Sequence, residues 1–374
     1  MPTSLSDLRL LLVRQRDTTG RRSQFVGALR QRLNVVDVVH PEVSWPERKM
    51  VLARAFHPDI DRWRSRAGFD EHYAALQTQS VQRGLLRHRG DHDLIMQFQT
   101  LCAPGLERGG VPYTIYTDNT MALTQRHYPK WAQLSPRAVT RWIEYEASIF
   151  REAKAVFTYS EFTRRSVIED YDCEPQSVVA AGAGANQMLP RAPQQRARPA
   201  RALFVGFELE RKGGFVLLDA WPQVRAHLPD AELVIAGPRR RPRRSLPEGV
   251  RWVGRSDRAT LTELYESAAV FAMPSLFEPW GHVFLEAMGH GLPCIGSDSC
   301  AMPEIIDDGV TGRLVAPGAP QPLAEALIEL LADPARAARM GRAGYEQVRR
   351  ERRWTNVADR VLEHLGGQRV LSAR

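Results

Sequence analysis

Short β-branched runs alternate along this chain with longer stretches whose apolar positions recur about every 3.6 residues. That alternation predicts an α/β fold with parallel sheets. In the first half, strands are expected at residues 9–13, 35–39, 94–98, 113–116, 155–158 and 178–180. Helices are expected after Arg21, over 73–86, 136–150 and 161–170, the last with Ser160 as its N-cap. The pattern then restarts, with strands at 202–205, 232–236, 250–253, 270–273, 293–296 and 312–315. Between the halves, residues 190–199 are proline-rich, polar and aperiodic, as a linker is. The expected organisation is one Rossmann-like domain over 1–190, a linker over 191–201, a second such domain over 202–350, and a closing helical segment over 351–374.

Length and composition agree with two domains, each able to bury a core: 374 residues, 43% hydrophobic. No apolar run approaches the roughly 18 residues of a membrane span. The apolar run at residues 8–13, broken by Arg9, is too short for a signal-peptide core. Cys102, Cys173, Cys294 and Cys300 show neither metal spacing nor a disulfide framework, which fits a reducing cytoplasm. The net charge of +8 admits nucleic acid, an anionic membrane surface or a phosphorylated substrate as partner, beside an arginine-biased but merely solvated surface. The densest basic cluster, 238–244, reads as a solvated loop between two strands, with contact to a membrane or an anionic acceptor as the alternative. No basic stripe interleaved with aromatics points to nucleic acid.

The most informative segment runs from Ser275 to Asp298. Glu278 lies in a Pro/Gly turn after an apolar run, and Glu286 follows with seven residues between, on a helix that begins after Gly281. A turn feeding a helix N-terminus suits a phosphate or a hydroxyl, and carboxylates are pure acceptors suited to a polyol. Taken alone, the pair would read as an ordinary loop carboxylate and an exposed helix carboxylate. Val283, Phe284, Ala287 and Met288 supply the buried pairs of that helix, leaving Glu286 on another face. A second loop, 206–214, follows a strand, and Lys212, Gly213 and Gly214 open an apolar helix, with Arg211 beside them. Glycine there lets backbone approach a phosphate, and the two cations add a point charge and a planar fork.

The 275–298 segment resembles the E-x7-E region of the retaining glycosyltransferases of family 4, which have the GT-B fold. The likeness continues through Pro303–Val315 and appears upstream over Leu203–Ala220, covering most of the second half, while the first half resembles the family only loosely. The resemblance implies two Rossmann-like domains facing a central cleft, a last helix that crosses back to the first domain, and donor binding by the second domain. It implies a nucleoside-diphosphate sugar (UDP or GDP) as donor and a glycan, glycolipid or small-molecule hydroxyl as acceptor. No cofactor or metal is implied. A cytoplasmic protein, with peripheral contact to the inner membrane face, fits this picture.

The same resemblance assigns Lys212 to the donor diphosphate, Glu278 to the transferred sugar and Glu286 to the ribose hydroxyls. Arg211, Gly213, Trp280, Gly281, His282 and Val283 would complete the donor site, largely through backbone. Two positions depart from the pattern. Phe207 stands where relatives carry an arginine, so Arg211 substitutes for it. No histidine follows the strand at 113–116 until His127, so Asp118 takes the place of the family histidine, with an Asx turn or helix cap as its plainer role. Asp59-Ile60-Asp61 and Asp91-His92-Asp93 mimic a metal motif of another glycosyltransferase fold without its context. Gly182-Ala183-Gly184 lacks the third glycine of a dinucleotide fingerprint. A retaining hexosyltransferase is the expected function. The alternative is a GT-B binding or scaffold subunit without turnover.

Overall fold

The computed structural model describes residues 7–16, 23–105, 110–186 and 199–367. Residues 18–20, expected from the sequence as a loop at the end of the first strand, and the linker, apart from its last residues Pro199 to Arg201, lie outside them. The chain forms two compact units, one of Met1–Gly182 with Trp354–Arg374 and one of Ala183–Arg353.

Unit 1 runs β1 (Arg9–Val13), α1 (Ser23–Arg30), β2 (Asn34–Val39), α2 (Trp45–Arg54), α3 (Ile60–Gly68), α4 (Glu71–Arg87), β3 (Leu94–Phe98), β4 (Tyr113–Thr117), α5 (Met121–His127), α6 (Pro136–Glu152), β5 (Ala155–Thr158), α7 (Glu161–Glu169) and β6 (Val178–Ala180). All its strand pairings are parallel, in the order β2-β1-β3-β4-β5-β6. Helices on the crossovers bury both faces, so β3, β4 and β5 are buried at every position. The strands arose where β-branched runs foretold them. Ser160 caps α7 by accepting from the Thr163 amide at 3.1 Å.

Three helices of unit 1 were not foreseen, the short α5 and the pair α2 and α3. The sequence of α2 and α3 is rich in arginine and interrupted by proline, and α2 buries only Val51. Local chemistry nevertheless starts both α2 and α3. Glu47 accepts from the Ser44 amide and hydroxyl ahead of α2, and Asp59 accepts from the Asp61 and Arg62 amides ahead of α3. The Asp59–Asp61 lookalike is therefore a helix cap. In the other lookalike, Asp93 pairs with Arg9 at 2.8 Å beside the start of β1.

Unit 2 contains β7 (Arg201–Val205), α8 (Gly214–His227), β8 (Glu232–Ala236), β9 (Val250–Gly254), α9 (Arg258–Ser267), β10 (Val270–Met273), α10 (His282–Gly289), β11 (Cys294–Ser297), β12 (Gly312–Val315), α11 (Pro320–Ala332) and α12 (Pro334–Glu351). Its parallel sheet has the order β12-β11-β10-β7-β8-β9. The order reverses between β7 and β10, which pair through Val270 with Ala202 and Phe271 with Leu203. Ligands in such sheets bind outside the carboxyl ends of the strands at that reversal.

The last helix, α13 (Trp354–Gly367), belongs to unit 1. Trp354 packs on Phe25 of α1 at 5.1 Å between centroids, and Arg360 donates to the Ala181 carbonyl at 2.7 Å. Together the two units form a two-domain α/β GT-B fold.

Candidate functional site

The loops after β7 and β10 emerge side by side at the reversal point of unit 2, and glycine permits their approach. Gly213 has φ of 71°, and a Cβ there would lie 1.8 Å from the Pro274 carbonyl oxygen. A Cβ on Gly206 would strike the Lys212 stem at 2.3 Å, so its absence leaves a track for that side chain. The Arg211 carbonyl accepts from the Leu276 amide at 2.8 Å and ties one loop to the other.

On this frame Lys212 Nζ donates to Glu278 Oε2 at 2.5 Å, and Arg211 Nη1 lies 3.5 Å from the same oxygen. Glu278 and Arg211 are buried. Burial alone would raise the Glu278 carboxyl. The charges of Lys212 and Arg211, the Lys212 hydrogen bond and the nearby His282 outweigh it and hold the group below the usual carboxylate range. Arg211 also donates to the Phe277 carbonyl at 2.8 Å and pairs with Glu208 at 2.7 Å. Its fork thus braces both loops, while Phe207 is exposed.

Two helices begin at this edge. Gly213 precedes α8, and Gly281, at φ of 105°, precedes α10. Each start directs amide groups without intrahelical partners toward the same end of the sheet. Trp280 is buried beneath the Arg352 guanidinium, 5.8 Å from its ring centre. His282 Nδ1 lies 3.2 Å from the Gly184 carbonyl oxygen.

Glu286 is buried on α10, where Tyr265 of α9 donates to it at 3.2 Å and stacks on His290. It is therefore not an exposed helix carboxylate. Val283, expected in the core, is only partly buried, because α10 turns Leu285 and Glu286 inward as well. The sequence pointed to Lys212, Glu278 and Glu286. It did not reveal Tyr265, whose spacing is that of any core aromatic.

In unit 1, Asp118 follows β4 and lines a hollow of about 290 Å³ with Gln99, Asn119, Thr120 and Trp131. It is not the cap of α5. Thr120 has that role, accepting from the Leu123 amide at 3.2 Å. Gln99 Nε2 donates to Asp118 Oδ1 at 3.3 Å, and Gln99 itself adopts φ of 63°, a strained conformation for a residue with a Cβ. Beneath the hollow, buried Glu146 accepts from Thr100 at 2.8 Å, the Met121 amide at 2.9 Å and Tyr171 at 2.5 Å. Burial lifts Glu146 above the usual range despite these bonds. His127 closes α5 with its ring edge against Phe162.

Among the described residues no group of three or more His, Cys, Asp or Glu converges as a metal site would. None of the described helices is long and apolar enough to cross a membrane.

Residues 189–347 match the family of glycosyl transferases group 1. The phosphatidyl-myo-inositol mannosyltransferase of Mycobacterium leprae (strain TN) is 31% identical over 350 residues, covering 89% of this chain and 87% of that protein. The alpha-maltose-1-phosphate synthase of Mycobacterium tuberculosis (strain H37Rv) is 33% identical over 261 residues, 60% of this chain. That match spans 65% of the synthase, just under two thirds of its length. Among solved structures, a sucrose-phosphate synthase from Thermosynechococcus elongatus superposes with a TM-score of 0.72 at 19% identity, over 98% of this chain and all of that one. Anabaena HepE, solved with UDP and glucose, gives 0.64 at 16% identity over 96% of this chain and 100% of its own. At such identities the two structures speak for the fold alone.

Proposed function

The chain belongs to the glycosyl transferases group 1 family, and we propose on that premise that it moves a hexose from a nucleoside-diphosphate sugar to an acceptor hydroxyl with retention. The observation that carries the reading is the buried Lys212–Glu278 pair at the reversal point of unit 2, set where two helices begin.

In this reading the donor diphosphate sits against the starts of α8 and α10 and Lys212. Cleavage of the anomeric C–O bond places charge on the leaving phosphate, and these fixed donors stabilise it as it develops. Glu286, oriented by Tyr265, accepts from the ribose hydroxyls, and Glu278 accepts from a hydroxyl of the transferred sugar. Lys212 then serves two anions. In the free protein Glu278 holds it, and the diphosphate recruits it when the donor arrives. Arg211 is a brace for both loops, its fork being committed to Glu208 and the Phe277 carbonyl. Among the described residues of unit 2 no side chain is arranged as a covalent nucleophile, so in this reading the acceptor hydroxyl attacks from the face the phosphate leaves, and that phosphate takes its proton. Acceptor recognition falls to unit 1, with Asp118 meeting a hydroxyl.

Calorimetric titration with UDP, GDP and a panel of their sugars, with and without a chelator, tests the reading. One nucleotide should bind at micromolar affinity irrespective of chelator. Lys212→Ala should weaken the interaction about a hundredfold, equivalent to ~3 kcal/mol for a lost charge-assisted bond, and Glu286→Ala should also weaken it. Absence of binding by folded protein would leave the scaffold alternative.

A further inference from the structure

Between β8 and β9, residues 238–244 hold five arginines and no acid. Arg244 is drawn back to Asp219 at 2.7 Å and lies over the Phe215 ring. Arg239, Arg240, Arg241 and Arg243 are exposed and hold no acidic partner among the described residues. Like charges packed this closely repel one another, so they add nothing to the stability of the fold.

Strand register places this loop beside the loop that carries Lys212. β7 and β8 pair in parallel to their last residues, Val205 with Ala236, and the Gly206 amide then donates to the Ala236 carbonyl at 3.0 Å. Gly237 adopts φ of 107°, and a Cβ there would stand 2.6 Å from the Gly206 carbonyl oxygen. Glycine thus lets the two loops touch, at the residue whose missing side chain leaves the track for Lys212. Pro238 is buried, and Arg239 follows at most about 7 Å of chain from Gly237. That reach is about one screening length at physiological salt, roughly 8 Å.

The site's own side chains do not attract an anion from a distance. Its two loops and α10 set Arg211 and Lys212 against the carboxyls of Glu208, Glu210, Glu278 and Glu286. The starts of α8 and α10 return only about half a charge each. Lys212 can answer a diphosphate at close range, once it leaves Glu278, but the field that brings the diphosphate there has to come from other residues. We propose that the arginine loop after β8 is an electrostatic collector for the anionic donor, concentrating its diphosphate at the edge where Lys212 receives it. The inference rests on the donor reading and adds to it the residues that act before contact.

Calorimetric titration of the full chain with UDP and GDP, at about 0.02 M and about 0.5 M salt, tests it. Arg239→Gln/Arg240→Gln/Arg241→Gln should bind the preferred nucleotide about fivefold more weakly at low salt and like the parent at high salt. The loss should be smaller for UMP or GMP, which carry less charge. Melting temperature should not change, since exposed positions carry little of the fold. Arg339→Gln/Arg342→Gln is a control of similar charge change. Those residues line a hollow with Asp307 and Thr311 just ahead of the start of β12, at the opposite edge of the parallel sheet, and their variant should bind like the parent. Three results would overturn the proposal: a triple variant equal to the parent at low salt, a loss that salt and ligand charge leave unaltered, or an equal loss in the control. The first is also what a loop serving an anionic acceptor would give. Failure of the parent to bind either nucleotide would instead overturn the donor reading itself, and the collector with it.

Discussion

Each unit buries a glutamate near the carboxyl ends of its strands, and the two are held in opposite ways. Glu278 in unit 2 is surrounded by cations and stays ionised. Glu146 in unit 1 is surrounded by neutral donors and burial favours its protonated form. A buried carboxylate beside Lys212 is a poised electrostatic device, whose partner can be claimed by an incoming anion. A buried carboxyl among Thr100, Tyr171 and a backbone amide is a fastener, joining the loop after β3 to the start of α5. In the proposed reading, similar sheets place carboxyls in different tasks, Glu278 with the donor at the edge of unit 2 and Glu146 with the shape of unit 1.

The strongest way to break this contrast is to pry the cations from Glu278. Gly213→Ala would do so, because the new Cβ meets the Pro274 carbonyl and the left-handed backbone disfavours it. Left-handed strain and overpacking together should cost about 3 kcal/mol. Nucleotide affinity should fall at least about a hundredfold, and hydrogen exchange should quicken in unit 2 while unit 1 keeps its protection. Unchanged affinity would show that the contact between the two loops is incidental to the site.

The next effect is on pH dependence, and the two glutamates give opposite signs. The folded value of Glu278 is depressed, so its contribution is complete above its unfolded value near 4.5 and is lost as pH falls through the folded value. Glu278→Gln should flatten the acid limb of unit 2. At neutral pH it should cost about 2 kcal/mol, below the ~3–5 kcal/mol of a broken buried pair, because Arg211 keeps Glu208. The folded value of Glu146 is raised, so its contribution is complete below about 4.5 and is lost as pH rises through the folded value. Glu146→Gln should make unit 1 less sensitive to rising pH, by about 1 kcal/mol near neutrality. Hydrogen exchange resolved by unit, across a pH series, reads both. If both variants flatten the same limb, the contrast is void.

The sequence made the sheets legible because most strands are short, nearly continuous apolar runs, the mark of parallel strands buried on both faces. It made Lys212, Glu278 and Glu286 visible through glycine-bounded loops at strand ends. Other features had no local signature. Arg211, Lys212 and Glu278 meet across 66 or more residues, and only the adjacency of β7 and β10 brings them together. Tyr265 looks like a core aromatic until its hydroxyl is seen on Glu286. Helices α2 and α3 escaped notice because each buries so little, Val51 in α2 and Ser65 and Ala67 in α3, that no apolar stripe marks it. The resemblance was faint in unit 1, where Asp118 and Gln99 stand in a hollow that no motif describes.

The smallest test compares tyrosines, since a tyrosine hydroxyl serves a buried glutamate in each unit. Tyr171 donates to Glu146 at 2.5 Å within a buried network, so Tyr171→Phe should cost about 2 kcal/mol of unit 1 stability. Tyr265 donates to Glu286 at 3.2 Å, a longer bond to a group proposed to face ribose hydroxyls. Tyr265→Phe keeps the ring stacked on His290 and removes only the hydroxyl. Its expected effect is about fivefold weaker nucleotide binding, ~1 kcal/mol, with little change in melting temperature. A deoxyribose nucleotide lacking the partner hydroxyl should then bind parent and variant alike. If Tyr265→Phe instead lowers stability as Tyr171→Phe does and leaves affinity untouched, Glu286 is a fastener too, and the contrast narrows to Glu278 alone.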